Sequence, residues 1–366
     1  MSITADNVGT RSSSRNSLSA GQLRPLGRYG ILAAAIMVGI LAAVSLGWFD
    51  QGGLNVMEMF GLVTLTGLCY ITAVAIVSTC IEGRRQAVDR IATACVITFF
   101  LLALIPLVSL LWTVTQQGLT RLDPAFFTES MRGVFGGGGG AVHAVVGTFI
   151  VTAISTVISV PVGVLTAIYL VEYGNNNRLS RALTFFVDVM TGIPSIVAGL
   201  FAYALFALLM GPGARAGIIG AAALCILMIP IVVRNTEEML RIVPSELREA
   251  AYALGVPKWL TIVKVVLRTA IAGIATGVTI AIARIIGETA PLLVTIGITT
   301  SVNWNPFSGR MAVLPVFSYY QYMNPGVPPQ PYIDRAWTAA LLLMIIVMAL
   351  NLVARWVSHV FAPKAR

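Results

Sequence analysis

Arg284 and Glu288 stand four residues apart inside an apolar run from Thr269 to Gly297. At 100° per residue, Gly273, Gly277, Ala281, Arg284 and Glu288 share one helical stripe about 80° wide. An ion exposed to lipid at such a position costs roughly 2.5–3.5 kcal/mol, and neither side chain is near enough to an end of the run to reach water easily. Both must therefore face protein or an aqueous path. A guanidinium presents paired planar donors that suit a tetrahedral oxyanion, and it stays charged at any working pH. Glu288 can compete for the same cation and keep it from trapping the anion. An ion pair that only locks two helices explains the order poorly, because Arg before Glu is the weaker arrangement on a helix. In another apolar run, Pro194 follows Gly192 and is expected to kink or unwind a helix near mid-membrane, freeing backbone amides to face a substrate as a second site.

Other chemistries are missing from the sequence. Lys258, Lys264 and Lys364 are followed by Trp, Val and Ala, so no phosphate-binding loop of the G-x-x-x-x-G-K-[ST] kind occurs. There is no H-E-x-x-H and no G-x-S-x-G, and His143 and His359 are far apart. His143 reads as an interfacial side chain rather than a ligand. Cys69, Cys80, Cys95 and Cys225 form no C-x-x-C pair and read as packing residues, with neither a disulfide framework nor a zinc site. The chain is expected not to be an enzyme and to bind no cofactor.

The elements that must hold these residues follow from composition. Of 366 residues, 57% are hydrophobic and 11% charged, with a mean hydropathy of +0.87. A soluble core could not hide that much apolar surface. Eight apolar runs are visible: 30–48, 60–81, 91–115, 141–171, 183–210, 217–233, 269–297 and 337–351. Each is read as a membrane span, the fourth being long enough to need tilt or a bend at Pro161. With the N-terminus inside, 18 of the 24 Lys and Arg fall in inner segments and five in outer ones. That bias places both termini in the cytoplasm. The net charge of +9 therefore marks cytoplasmic loops and not a nucleic-acid surface. Residues 1–29, rich in Ser and Arg, are expected to be a disordered cytoplasmic tail.

Two loops are distinctive. Residues 131–140 end in five glycines, read as a flexible lead-in to the fourth span. The inner loop 234–268 reads as helix, elbow, helix: Ser245 caps a short helix, Glu246 suits its first turn, Gly255 ends it in the left-handed region, and Pro257 begins the next. The short helix gives a rod of about 13 Å whose Ala250 and Ala251 keep its profile low enough for a groove. The outer segment 298–335, with Trp304 and several tyrosines and prolines, reads as an ordered cap at the interface.

Glu249-Ala250-Ala251, separated by three residues from Gly255, resembles the EAA loop of bacterial ABC importer permeases, the segment that docks on a separate ATPase. The family's I-x-L-P ending stands here as Val265-Val266-Leu267-Arg268, with Arg in place of the final Pro. The run Ala283-Arg284-Ile285-Ile286-Gly287-Glu288-Thr289-Ala290-Pro291-Leu292-Leu293 is similar to the signature of phosphate-specific transport (Pst) permeases of the PstA type. The segments Gly192 to Leu200 and Glu249 to Trp259 agree with it.

The resemblance implies an all-α polytopic transmembrane bundle: a type I ABC importer permease (MetI-like) core of six helices over 87–366, preceded by a two-helix hairpin over 30–86. It implies inorganic phosphate as substrate and Arg284, Glu288, Thr289, Pro194 and Ser195 along the translocation path. Glu249, Ala250, Ala251, Gly255 and Pro257 would form the ATPase-coupling elbow. The implied partners are a second homologous permease subunit as heterodimer mate, two ATPase subunits that use ATP and Mg, and an extracytoplasmic phosphate-binding protein, in the lipid of a bacterial cytoplasmic (inner) membrane. Transport of another oxyanion, a non-transporting signalling scaffold, and ion-coupled transport with Glu288 as a proton site stand as alternatives.

Overall fold

The computed structural model describes residues 25–48, 55–174 and 177–361; most of the expected tail lies outside them. Two compact units divide the chain, Met1–Thr113 and Val114–Arg366. The described residues contain helices and no strand, as the apolar runs require. In the first unit α1 (Pro25–Ser45) packs on α2 (Val56–Ile81), where a Cβ on Gly39 would strike Thr66. α3 (Arg84–Gly118) starts after a turn at Glu82 and Gly83 and runs out of this unit; Glu82 accepts from Ser78 Oγ at 2.7 Å and is paired with Arg90.

In the second unit a short α4 (Pro124–Thr128) precedes α5 (Val142–Ile168), which ends in a π-helical turn, Tyr169–Tyr173. Then come α6 (Arg178–Gly192), α7 (Ser195–Met210), α8 (Gly217–Ile242), α9 (Ser245–Ala253) and α10 (Lys258–Thr261). A second π-helical turn, Ile262–Val266, leads into α11 (Leu267–Ile285), followed by α12 (Ala290–Thr295), α13 (Leu314–Met323) and α14 (Gln330–Phe361). α5 lies against α8 because Gly163 admits Val232, whose Cγ1 would stand 2.7 Å from an added Cβ. Ser155 Oγ also donates to Ala221 O at 3.1 Å. Around that pair Val151, Leu224, Met228, Ala281, Ile285, Leu292 and Ile296 form a closed core.

Six described helices are long and apolar enough to cross a membrane: Val56–Ile81, Arg84–Arg121, Val142–Tyr173, Gly217–Ile242, Lys258–Ile285 and Gln330–Val357. α1 is apolar but shorter. The fifth run is not one continuous span: α6 and α7 meet at 111°. Pro194 has no N–H to offer, and its ring forces Ile193 into an extended backbone (ψ 127°). Pro161 and Pro230 sit inside unbroken helices. Breaks come where a proline closely follows a glycine, at Gly192-Ile193-Pro194 and again between Gly287 and Pro291.

The break at Pro194 is the one expected there; the seventh run, expected to be continuous, also breaks. α11 ends at Ile285, and Glu288 N–H turns back to Ile285 O at 3.1 Å. A continuing helix would have driven the Pro291 ring into the Gly287 carbonyl. The predicted stripe therefore holds from Gly273 to Arg284 and does not reach Glu288. The sixth run extends to Ile242, nine residues past its apolar limit, held by i,i+3 and i,i+4 pairs from Glu237 to Arg234 and Arg241. Pro244, not Ser245, takes the capping position of α9, while Gly255 adopts the left-handed backbone expected of it (φ 74°).

The glycine run is pinned, not flexible. The buried Arg335 donates to Gly136 O at 2.8 Å and Gly138 O at 2.7 Å, and Arg121 donates to Gly139 O at 2.7 Å. Gly136, Gly138 and Gly139 all have positive φ, which lets the carbonyls turn inward. His143, expected at the interface, is buried edge-on against Phe317 with 5.3 Å between ring centroids.

Candidate functional site

The corner of the bent pair opens a cleft of about 310 Å³. Thr191 and Ile193 line it from the α6 side, and Ser195, the first residue of α7, from the other. α8 contributes Leu227, Pro230, Ile231, Arg234 and Asn235; α11 contributes Arg284 and Ile285, and Glu288 reaches in from the following turn. The break at Pro194 thus exposes the N-terminal end of the 16-residue α7 on this cavity, the end of a helix that favours an anion.

The expected residues separate into two sets. Arg284, Glu288 and Ser195 line the cleft; Pro194 and Thr289 do not, and instead stand at the first turns of α7 and α12. Those two helices touch closely: a Cβ on Gly199 would stand 2.6 Å from Pro291 Cα. Gly277 packs on α8, where an added Cβ would be 2.8 Å from Asn235 Cβ, and Asn235 Nδ2 donates to Gly277 O at 3.4 Å. The small residues of the stripe do bring α11 onto α8, and so set Arg284 beside Arg234 and Asn235.

The two arginines are in different states. Arg234 is paired with Asp188 of α6 and with Glu237, at 2.8 Å, on its own helix; Glu237 also holds Arg241 at 2.7 Å. Arg234, the first residue of the inner loop 234–268, thereby ties α8 to α6. Arg284 is exposed and has no ion-pair partner within 4 Å among the described residues, Glu288 included. The arrangement offers one free guanidinium, the Ser195 hydroxyl and an amide to a small oxyanion, with a carboxylate at the edge; the Thr191 hydroxyl donates instead to Val187 O at 2.8 Å. Arg234 and Asn235 were missed in the sequence because the apolar run ends at Val233; the signal was the absence of any turn residue after it.

The elbow is built as follows. Glu249 and Ala250 are exposed on α9, Ala251 is buried beneath them, and Gly255 and Pro257 form the exposed bend into α10. Leu254 and Trp259 are exposed around that bend, 84% and 62% respectively, which makes it an apolar knob outside the bundle. Among the described residues no group of three or more His, Cys, Asp or Glu could hold a metal ion.

With this geometry in place, likenesses to known proteins can be set beside it. Residues 159–366 match the family model described as binding-protein-dependent transport system inner membrane component. The phosphate transport system permease protein PstA 1 of Mycobacterium tuberculosis is 46% identical over 286 residues, 77% of this chain and 91% of that protein. The phosphate transport system permease protein PstA of Yersinia pestis is 38% identical over 283 residues, 77% of this chain and 93% of its own length. A chain of the MetNI methionine ABC transporter in an inward-facing conformation aligns with a TM-score of 0.47 and 21% identity, over 61% of this chain and 95% of that one.

Proposed function

Because the chain belongs to the binding-protein-dependent inner-membrane transport components, and among them to the PstA phosphate transport permeases, we propose that it is the permease subunit of an ATP-driven importer that carries inorganic phosphate across the inner membrane. The observation that carries this reading is the unpaired Arg284 in a cleft at the corner of a broken helix pair. Phosphate meets the free guanidinium, the Ser195 hydroxyl and the N-terminal end of α7. Glu288 weakens that hold when the anion leaves.

The chain works with partners. It is a transport subunit and not an enzyme. ATP and Mg are used by two separate ATPase subunits, which receive the elbow around Glu249, Ala250, Ala251, Gly255 and Pro257. A second homologous permease completes the pathway, and an external phosphate-binding protein delivers the anion. Both termini and the elbow lie on the cytoplasmic side, consistent with the Lys and Arg bias.

Reconstitution with all four kinds of subunit in liposomes tests the proposal. ATP-dependent accumulation of labelled phosphate is expected, with little competition from sulfate or molybdate. Equal competition by those anions would redirect the substrate. No accumulation alongside a stable complex would favour a signalling scaffold, and uptake lost on collapsing the proton gradient at high ATP would favour ion coupling.

A further inference from the structure

Both arms of the elbow are fastened to the same π-helical turn. On the first arm, Arg248 of α9 donates from Nη2 and Nε to Glu172 Oε1, at 2.9 and 3.1 Å. Its Nη1 donates to Val243 O at 2.7 Å, and Nη2 also to Leu240 O at 2.9 Å. On the second arm, Lys258 of α10 places its ammonium 4.8 Å from the centre of the Tyr173 ring. Glu172 and Tyr173 are consecutive residues of the turn that ends α5.

The pair is shielded from water: the Arg248 and Glu172 side chains are 18% and 5% exposed. A carboxylate held in such a place needs its partner, since one charge left alone there is strongly unfavourable. One guanidinium therefore binds three elements together: the elbow, the end of α8, and the end of α5. Leu240, Val243, Ala167 and Val266 close an apolar layer around it. From Leu240 it is about 9 Å along α8 to Arg234, at 1.5 Å per residue, and Arg234 lines the cleft. α5 is bound to the same helix higher up, through Gly163 and Ser155.

We infer that Glu172 and Arg248 are positioning residues that clamp the elbow to the cleft wall, so that a displacement of the elbow moves the ends of α5 and α8 as one body. The inference rests on the reading of this chain as a phosphate permease driven by an external ATPase. The extra residue in each π-helical turn lets the helix give locally without breaking. The turn at Tyr169–Tyr173 holds the clamp, and the turn at Ile262–Val266 lies directly after the elbow. Neither residue touches substrate. Their loss should separate ATP turnover from movement of the cleft without removing the cleft itself.

The test uses the assembled transporter in liposomes and measures phosphate imported per ATP hydrolysed. Glu172→Gln should lower that ratio about tenfold or more while ATP hydrolysis continues, because the guanidinium loses its countercharge and keeps only an uncharged amide as partner. An unchanged ratio in an intact complex would overturn the clamp. Should this variant fail to assemble, the pair Glu172→Cys and Arg248→Cys, in a chain whose native Cys69, Cys80, Cys95 and Cys225 are replaced by Ser, gives a second measurement. A bifunctional thiol reagent of side-chain length should restore the ratio in that pair. A bridged protein that stays uncoupled or stops transporting would show that elbow and α5 must slide apart. Unmodified transporter with no ATP-dependent uptake at all would overturn the functional reading instead, which keeps the two failures distinct.

Discussion

Arg234 and Arg284 line one cleft in opposite states: Arg234 is shared between Asp188 and Glu237, whereas Arg284 has no carboxylate within 4 Å among the described residues. A paired guanidinium gains less from an arriving anion, since two carboxylates already balance its charge. A free one gains in full. The division assigns capture to Arg284 and leaves Arg234 to shape the wall, joining α6 to α8 across the cleft.

Arg284→Gln should therefore lower phosphate uptake by roughly 10- to 100-fold, the worth of a charge-assisted contact to an anion. The side chain is exposed and holds no partner, so folding and assembly should be unaffected. Arg284→Lys should retain part of the activity, because the charge stays while the two-pronged geometry is lost. Uptake assays with the purified complex, paired with subunit recovery, check both. Normal uptake by the Gln variant would remove Arg284 from the pathway.

Asp188→Asn addresses the other arginine. The Asp188 carboxylate is 59% exposed, so losing its contact should change stability by no more than about 1 kcal/mol. Arg234 would then keep only Glu237 and turn part of its charge toward the cleft. Phosphate should be held more tightly and released more slowly, giving a lower half-saturating concentration together with a lower maximal rate. A loss of rate without tighter binding would mean that Asp188 only braces α6 against α8.

How much of this could be read from residues alone depended on the range of the interaction. The all-helical membrane bundle follows from composition, because apolar runs of that length have few other solutions. The elbow follows as well, since Gly255 and Pro257 act through their own backbones. Arg284 was legible because an ion in an apolar run must have a reason to be there. Its relation to Glu288 was not, because a four-residue spacing means adjacency only while the helix continues, and α11 stops at Ile285. The glycine run misled for a similar reason. Glycine permits many conformations, but which one is kept depends on Arg335, nearly two hundred residues away, through its bond to Gly136 O.

Arg335 supplies the clearest stability prediction. Its side chain is fully buried; besides the two glycine carbonyls, Nε donates to Gln321 Oε1 at 3.2 Å, and the guanidinium lies 4.5 Å from the Tyr332 ring centre. Arg335→Met would strand the Gly136 and Gly138 carbonyls without a donor and release the loop that leads into α5. A cost of about 2–4 kcal/mol is expected, seen as a clear fall in the thermal unfolding temperature of the purified protein. Arg335→Lys should not rescue it, because a single ammonium cannot reproduce the planar set of donors.

Two glycines of the same short segment should respond in opposite ways to one methyl group. At Gly199 an added Cβ would lie 2.6 Å from Pro291 Cα and 2.8 Å from Pro291 O, backbone atoms that cannot swing aside. Gly199→Ala must push α7 away from α12, and overpacking of this kind costs about 1–3 kcal/mol. Because the same two helices begin beside the cleft, phosphate uptake should fall along with stability. At Gly192, by contrast, nothing lies within 4 Å of an added Cβ, so Gly192→Ala should fold and transport normally. Thermal unfolding and uptake measured on the two variants together decide the matter. Equal tolerance at both positions would mean that the close approach of α7 to α12 is not what holds the corner of the bent pair in place.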